Sequence, residues 1–155
     1  MTSTKIVPFL WFENQAEEAM STYVSLFDNS RVIEVSRAGE DGPAMVCTFE
    51  IEGQRVIAMN GGPDFRLSEA FSFFVSCEDQ EEVDHYWSAL LAGGGQPSQC
   101  GWLTDRFGVT WQIIPTALPE LMGDPDRERA GRVMEAMLKM QKIDVAELQR
   151  AYEGA

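Results

Sequence analysis

The sequence predicts an α+β fold: two copies of a strand–helix–strands unit followed by a helical tail. Three observations predict it. Strand, cap, apolar stripe and breaker occur twice in the same order. The two runs superpose when position 9 is laid on position 73, an offset of 64 residues. After Pro115 only helical signals remain.

The first unit opens with Lys5 to Phe12 (KIVPFLWF), apolar on both alternating faces and so a buried strand. Pro8 within it points to an edge or a bulge, because proline cannot donate to a ladder. Asn14 is placed to cap a helix, with Glu17 three residues later. Ala16, Ala19, Met20, Tyr23, Val24 and Phe27 then form one apolar stripe at helical spacing. Asp28-Asn29-Ser30 ends that helix. Arg31 to Arg37 and Met45 to Ile51 read as strands. Glu52-Gly53 is a tight-turn pair, and Arg55 to Asn60 is the return strand. Gly61-Gly62-Pro63-Asp64 breaks the chain and marks the boundary between the halves.

The pattern restarts with Ala70 to Cys77 (AFSFFVSC), a strand. Asp79 caps a second helix with Glu82 three later, and Val83, Tyr86, Trp87, Leu90 and Leu91 form its stripe. Gly93-Gly94-Gly95 stops it. Ser98 to Leu103 and Gly108 to Pro115 are the next strands. Laid on the first unit, Phe9 falls on Phe73, Glu18 on Glu82, Tyr23 on Trp87 and Leu26 on Leu90.

In the tail, Asp124-Pro125 places a cap before a proline at the first helical position. Ala130, Val133, Met134, Met137, Leu138 and Gln141 lie on one side of the helix that follows. Asp144 caps a last helix, with Ile143 and Leu148 as a hydrophobic staple. This Met-rich tail needs a covering surface, either the sheet or a second subunit.

Composition narrows the function. Hydrophobic residues make up 45% of the 155 and charged residues 24%, ordinary for a chain with a core. Acidic residues outnumber basic ones 25 to 12, for a net charge of −13. Nucleic acid binding needs clustered Lys and Arg, and the one local cluster (Arg127, Arg129, Arg132) is interleaved with Asp126, Glu128 and Glu135, so no nucleic acid is expected. No apolar run is long enough for a membrane span and no signal-peptide pattern is visible. Cys47, Cys77 and Cys100 are far apart and odd in number, as in a reduced, cytoplasmic protein. As small buried hydrophobes they need no chemical role.

The reactive candidates are few. His85 is the one histidine; at 100° per residue it stands about 200° from Val83 and so faces solvent. Without a second histidine there is no Ser-His or Cys-His arrangement. Cys100 has no basic neighbour in sequence to activate it. The Asp105-Arg106 turn reads as a solvated pair rather than an acid–base pair.

Four segments carry a family likeness: PFLWFENQAEEA, SFFVSCEDQEEVDHYW, QCGWLTDRFGVTWQIIP and RVMEAMLKMQKIDVAELQRAY. Together with the repeat they resemble the PhnB-like branch of the vicinal oxygen chelate (glyoxalase/bleomycin-resistance) superfamily, often labelled demethylubiquinone 3-methyltransferase-like. The resemblance implies two βαβββ modules forming a cupped mixed sheet, with C-terminal helices added. The expected single domain has module 1 over about 4–62, module 2 over about 68–115 and a tail over about 116–155. It also implies a homodimer with a ligand in the cup.

The label's methyltransferase activity is not expected, because the glycine run follows a helix rather than opening one. Superfamily enzymes hold a divalent metal with His, Gln and Glu donors on the first and last strands of the modules. Those positions fall here near Val7 or Pro8, at Ile57, near Phe71 or Ser72, and at Gln112. An isolated amide does not hold a transition metal, so neither metal nor other cofactor is expected.

Strand alternation then groups the pocket candidates as Phe9, Trp11, Asn60, Ser72, Trp102, Thr110 and Gln112, an apolar, aromatic lining with a few amides. The plain alternative for Phe9, Trp11 and Trp111 is core packing. Three functions are compatible: a metal-free binder of a small apolar or aromatic molecule, a metal-dependent enzyme with a degenerate ligand set including Gln112, or a protein–protein interaction module built on the tail.

Overall fold

In the computed structural model, which describes residues 5–154, β1 (Phe9–Phe12) leads into α1 (Ala16–Leu26), followed by β2 (Arg31–Arg37), β3 (Ala44–Ile51) and β4 (Gln54–Asn60). The strands form one sheet in the order β1-β4-β3-β2, with β1 parallel to β4 and the other pairs antiparallel. The chain divides into two compact units between Leu67 and Ser68.

β1 is shorter than the apolar run that predicts it. Pro8 has no N–H to give, so the ladder starts one residue later, while its carbonyl still accepts from the Ile57 N–H at 3.0 Å. The strand lies at the sheet edge, where a proline is tolerated. Glu52 and Gly53 both have positive φ (48° and 79°), the conformation of a two-residue turn whose twist suits a hairpin.

Alternation sorts this sheet into two faces. Leu10, Phe12, Cys47, Phe49, Val56 and Ala58 are buried. The α1 stripe of Ala16, Ala19, Met20 and Tyr23 is buried with them, and the Tyr23 and Phe49 rings lie 6.4 Å apart. Each large side chain so buried stabilises the fold by roughly 1.5–3 kcal/mol. Phe9, Trp11, Ile57 and Met59 alternate onto the other, open face.

The Asn14 cap does not form. α1 begins at Ala16, and Gln15 in the cap position makes no side-chain bond. The cap comes from the sheet instead: Asn60 Oδ1 accepts from the Ala16 N–H at 2.8 Å, and Asn60 Nδ2 donates to the Ala44 carbonyl at 3.0 Å. Asn60 ends β4 on the helix side, in line with Phe12, and reaches an N–H that α1 cannot satisfy internally.

The second unit runs β5 (Ser72–Cys77), α2 (Gln80–Leu91), β6 (Gln96–Pro97), β7 (Trp102–Thr104), β8 (Thr110–Pro115), α3 (Ala117–Met122), α4 (Arg127–Met137) and α5 (Val145–Glu153). Its sheet has the order β5-β8-β7-β6, with β5 parallel to β8, as in the first unit. Here the predicted cap holds: Asp79 accepts from the Glu82 N–H at 2.9 Å, and Glu82 accepts from the Glu78 N–H at 3.1 Å. Val83, Tyr86, Trp87 and Leu90 are the buried residues of α2. The strand expected over Ser98 to Leu103 is interrupted, because Cys100 and Gly101 both take positive φ (59° and 87°).

The tail packs on its own unit. Leu118, Val133, Ile143 and Leu148 form a buried cluster with Ile114 of β8. The segment before α5 is stitched to the sheet end by the Cys100 N–H to the Met140 carbonyl (2.8 Å) and the Gly101 N–H to the Gln141 carbonyl (2.7 Å). Gln80 at the start of α2 donates to the Ile143 carbonyl and accepts from the Val145 N–H. Asp144 caps α5 as predicted. The α4 cap is Asp126, two residues beyond the predicted Asp124, whose carboxylate instead accepts from the Asp126 N–H and the Tyr152 hydroxyl.

Candidate functional site

Each sheet has one face covered by its helix and one open face, and the open faces carry most of the predicted site residues. In the first unit Phe9 shares a row with Ile57, and Trp11 with Met59. Phe9 stays 54% exposed although it is a large apolar side chain. The Trp11 ring is fixed: its Nε1–H donates to the Gly62 carbonyl at 2.9 Å, and Phe65 meets it edge-on at 5.0 Å. A Cβ on Gly61 would come within 2.4 Å of that ring, so the glycine is what lets Trp11 lie against the backbone. Toward the β3–β4 turn this face becomes charged. Arg31 and Arg55 flank Glu50, and the Arg31 hydrogen bond leads in holding its carboxyl below the usual range.

Asn60 does not join this group. It lies on the helix side as the cap of α1, because it alternates with Val56 and Ala58, the buried residues of β4, while Arg55, Ile57 and Met59 face outward.

In the second unit three strands build one platform. Ser72 pairs with Thr110 and Phe74 with Gln112 on β5 and β8, and Trp102 pairs with Gln112 on β7. Gln112 therefore stands between two aromatic residues in one cross-strand row. Its Nε2 donates to Ser72 Oγ at 2.9 Å. Thr110 and Thr104 hydroxyls lie 3.5 Å apart one row along. Ile114, next on the same face of β8, is buried beneath the tail, which closes the platform at that end. Ser72, Trp102, Thr110 and Gln112 thus come together, and Phe9 and Trp11 do so in their own unit. Trp111 is core, on the α2 side of the sheet and 1% exposed. Sequence reasoning did not single out Met59 and Phe74 on these open faces, and named Ile57 only as an expected metal-ligand position. Their signal was alternation against the buried rows, legible only once the helix-covered face is known.

Asp105 is not a solvated turn residue. It is 5% exposed, and its carboxylate accepts from the Phe107 N–H (2.9 Å), the Val109 N–H (3.0 Å) and Trp111 Nε1–H (2.9 Å). Its part is to hold the β7–β8 turn and the Trp111 ring. His85 lies exposed on α2 beside the Tyr86 ring. All three cysteines are free, and burial pushes the Cys77 thiol up to about 12, helped by Glu82 and Asp79, so it stays protonated.

The donor set does not fit a divalent metal. At the ligand positions that the family resemblance implies, the first unit presents Ile57, and the second presents Gln112 with Ser72 as a further candidate. That is one hydrocarbon, one amide already bonded to Ser72, and one hydroxyl. Among the described residues no three His, Cys, Asp or Glu side chains converge. Nor does the glycine run fit a cofactor on a strand-to-helix turn. It follows the C-terminus of α2, and Arg106 lies within 2.8 Å of where a Cβ on Gly93 would stand.

With this geometry in place, comparison with known proteins is informative. Residues 4–114 match the family model described as 3-demethylubiquinone-9 3-methyltransferase. No curated protein matches the chain. Among solved structures, a PhnB protein from Bacillus cereus, described as a 3-demethylubiquinone-9 3-methyltransferase, is 35% identical with a TM-score of 0.67, over 73% of this chain and 100% of its own. Protein PA1353 from Pseudomonas aeruginosa is 23% identical with a TM-score of 0.59, over 73% and 98%. A variant of the fosfomycin resistance protein FosX from Listeria monocytogenes, solved with Mn(II), is 17% identical with a TM-score of 0.52, over 72% and 90%. The last two likenesses are of fold.

Proposed function

Because the chain belongs to the PhnB-like family described as 3-demethylubiquinone-9 3-methyltransferase, within the vicinal oxygen chelate superfamily, we propose that it uses that scaffold to bind a small apolar or aromatic molecule on its open sheet faces, without a catalytic metal. The observation that carries this reading is the row Phe74–Gln112–Trp102, two aromatic residues flanking one polar group on an open face. Phe74 is 57% exposed, which is costly for an isolated aromatic and favours a covering ligand. Phe9, Trp11, Ile57 and Met59 offer a second apolar surface of the same kind. Methyl transfer is no part of the proposal, since neither glycine run nor donor set supports it.

The same proposal makes the protein a cytoplasmic homodimer of a single domain with two modules. Three free cysteines support the compartment, and no helix among the described residues is long and apolar enough to cross a membrane. Exposed Phe65 and Phe71 support self-association. The tail as a docking element for another protein is the lesser reading: of the apolar residues in its stripe, Met134 and Leu138 stay exposed, at 47% and 58%, while Ala130 and Val133 are buried.

A thermal-shift screen with apolar and aromatic compound sets tests the binding reading. Stabilisation by flat apolar compounds, lost in Phe74→Ser, is the expected result. No stabilisation across the sets contradicts it. Sedimentation velocity reads the oligomer, and a monomer at all concentrations contradicts the dimer.

A further inference from the structure

We infer that the ligand read by the second unit is a flat two-ring heterocycle with a lactam or similar N–H-bearing edge, and that Gln112 recognises this edge. This rests on the binding reading above and narrows it to a chemical class. Gln112 is the polar centre of an otherwise apolar row, with Phe74 on one neighbouring strand and Trp102 on the other. Two strand spacings of about 4.8 Å make the platform about 10 Å wide, the scale of a bicyclic ring rather than a long chain. The tail covers Ile114 and closes the platform along the strand direction, so an extended aliphatic molecule has no room to continue that way.

The amide is held rather than free. Ser72 Oγ accepts from Gln112 Nε2 at 2.9 Å, which fixes the amide plane and leaves the carbonyl oxygen Oε1 as the acceptor for a ligand N–H. Ser72 is thus a positioning residue and Gln112 the reading residue. A site built to accept a hydrogen bond discriminates strongly against an isostere that cannot donate one, because the polar group is then buried without a partner. The tail that bounds the platform lies beyond residues 4–114, the part matched by the family model.

The test uses two nearly isosteric probes on the full-length chain, 2-quinolinone (ring N–H and carbonyl) and coumarin (ring oxygen and carbonyl), titrated by calorimetry. The expected result is that 2-quinolinone binds about tenfold tighter or better, and that this ratio falls to near one in Gln112→Met. Ser72→Ala, which leaves the amide in place but unheld, is expected to shrink the ratio partway and stands in if Gln112→Met does not fold. Equal binding of the two probes by the wild type overturns the lactam inference and leaves the apolar-face reading intact. So does a ratio that survives in both variants. Binding of neither probe overturns the inference together with the reading beneath it.

Discussion

Asn60, the last residue of β4, accepts a hydrogen bond from the backbone N–H of Ala16, the first residue of α1, at 2.8 Å. A strand residue thereby caps a helix 44 positions earlier in the chain. The same amide donates to the Ala44 carbonyl, so α1, β3 and β4 meet at one side chain. Asn60→Ala removes both bonds and is expected to cost about 1–2 kcal/mol. Asn14→Ala, at the position where sequence alone places the cap, is expected to be near neutral. Urea denaturation of the two variants decides the matter, and an equal loss in both contradicts the assignment.

Asp105 anchors three donors within the β7–β8 turn and the neighbouring strand, including the Trp111 indole. Asp105→Ala leaves these donors facing a cavity, and each unsatisfied buried group costs roughly 1–3 kcal/mol. The expected loss is about 3 kcal/mol or more, with a changed Trp111 environment in near-ultraviolet circular dichroism. A variant as stable as the wild type returns Asp105 to the solvent-exposed role its sequence suggests.

Acid is expected to loosen the tail first. The Tyr152 hydroxyl and the Asp126 N–H hold the Asp124 carboxyl below its ordinary range, and Lys142 and Gln80 do the same for Asp84. A carboxyl whose folded-state pKa is lowered adds stability that is complete above the unfolded value of about 4 and is lost as pH falls through the folded value. Both groups are partly exposed, so the effect is modest and screened by salt. Melting temperature followed from pH 7 to pH 2 should fall less below pH 4 in Asp124→Asn than in the wild type. Parallel curves contradict this linkage.

The repeat, the helix stripes and the caps at Asp79 and Asp144 were legible in the sequence, because each depends on residues close together along the chain. What failed depended on how the chain folds back on itself rather than on residue type and spacing. The Val56, Ala58, Asn60 row has the same period as Arg55, Ile57, Met59, and only the position of α1 decides which row is covered. Asp105 next to Arg106 looks like a surface pair until Trp111 folds back onto it. In the tail, Met134 and Leu138 share a predicted side with Val133 and Met137, yet only Val133 joins the buried cluster and Met137 packs against it, while Met134 and Leu138 stay exposed. In the candidate site, Ser72, Trp102, Thr110 and Gln112 were grouped from strand alternation, and the register brings those four side by side.

Where the family resemblance would place a metal stand Gln112, bonded to Ser72, and Ile57, beside Phe9. The most direct test is elemental analysis of the purified full-length chain, followed by melting temperature with and without a chelator. The account predicts manganese, zinc, nickel and iron well below one equivalent, and a melting temperature the chelator does not move. One equivalent of a divalent metal that the chelator removes, with a lower melting temperature afterwards and the same loss in Gln112→Met, contradicts it.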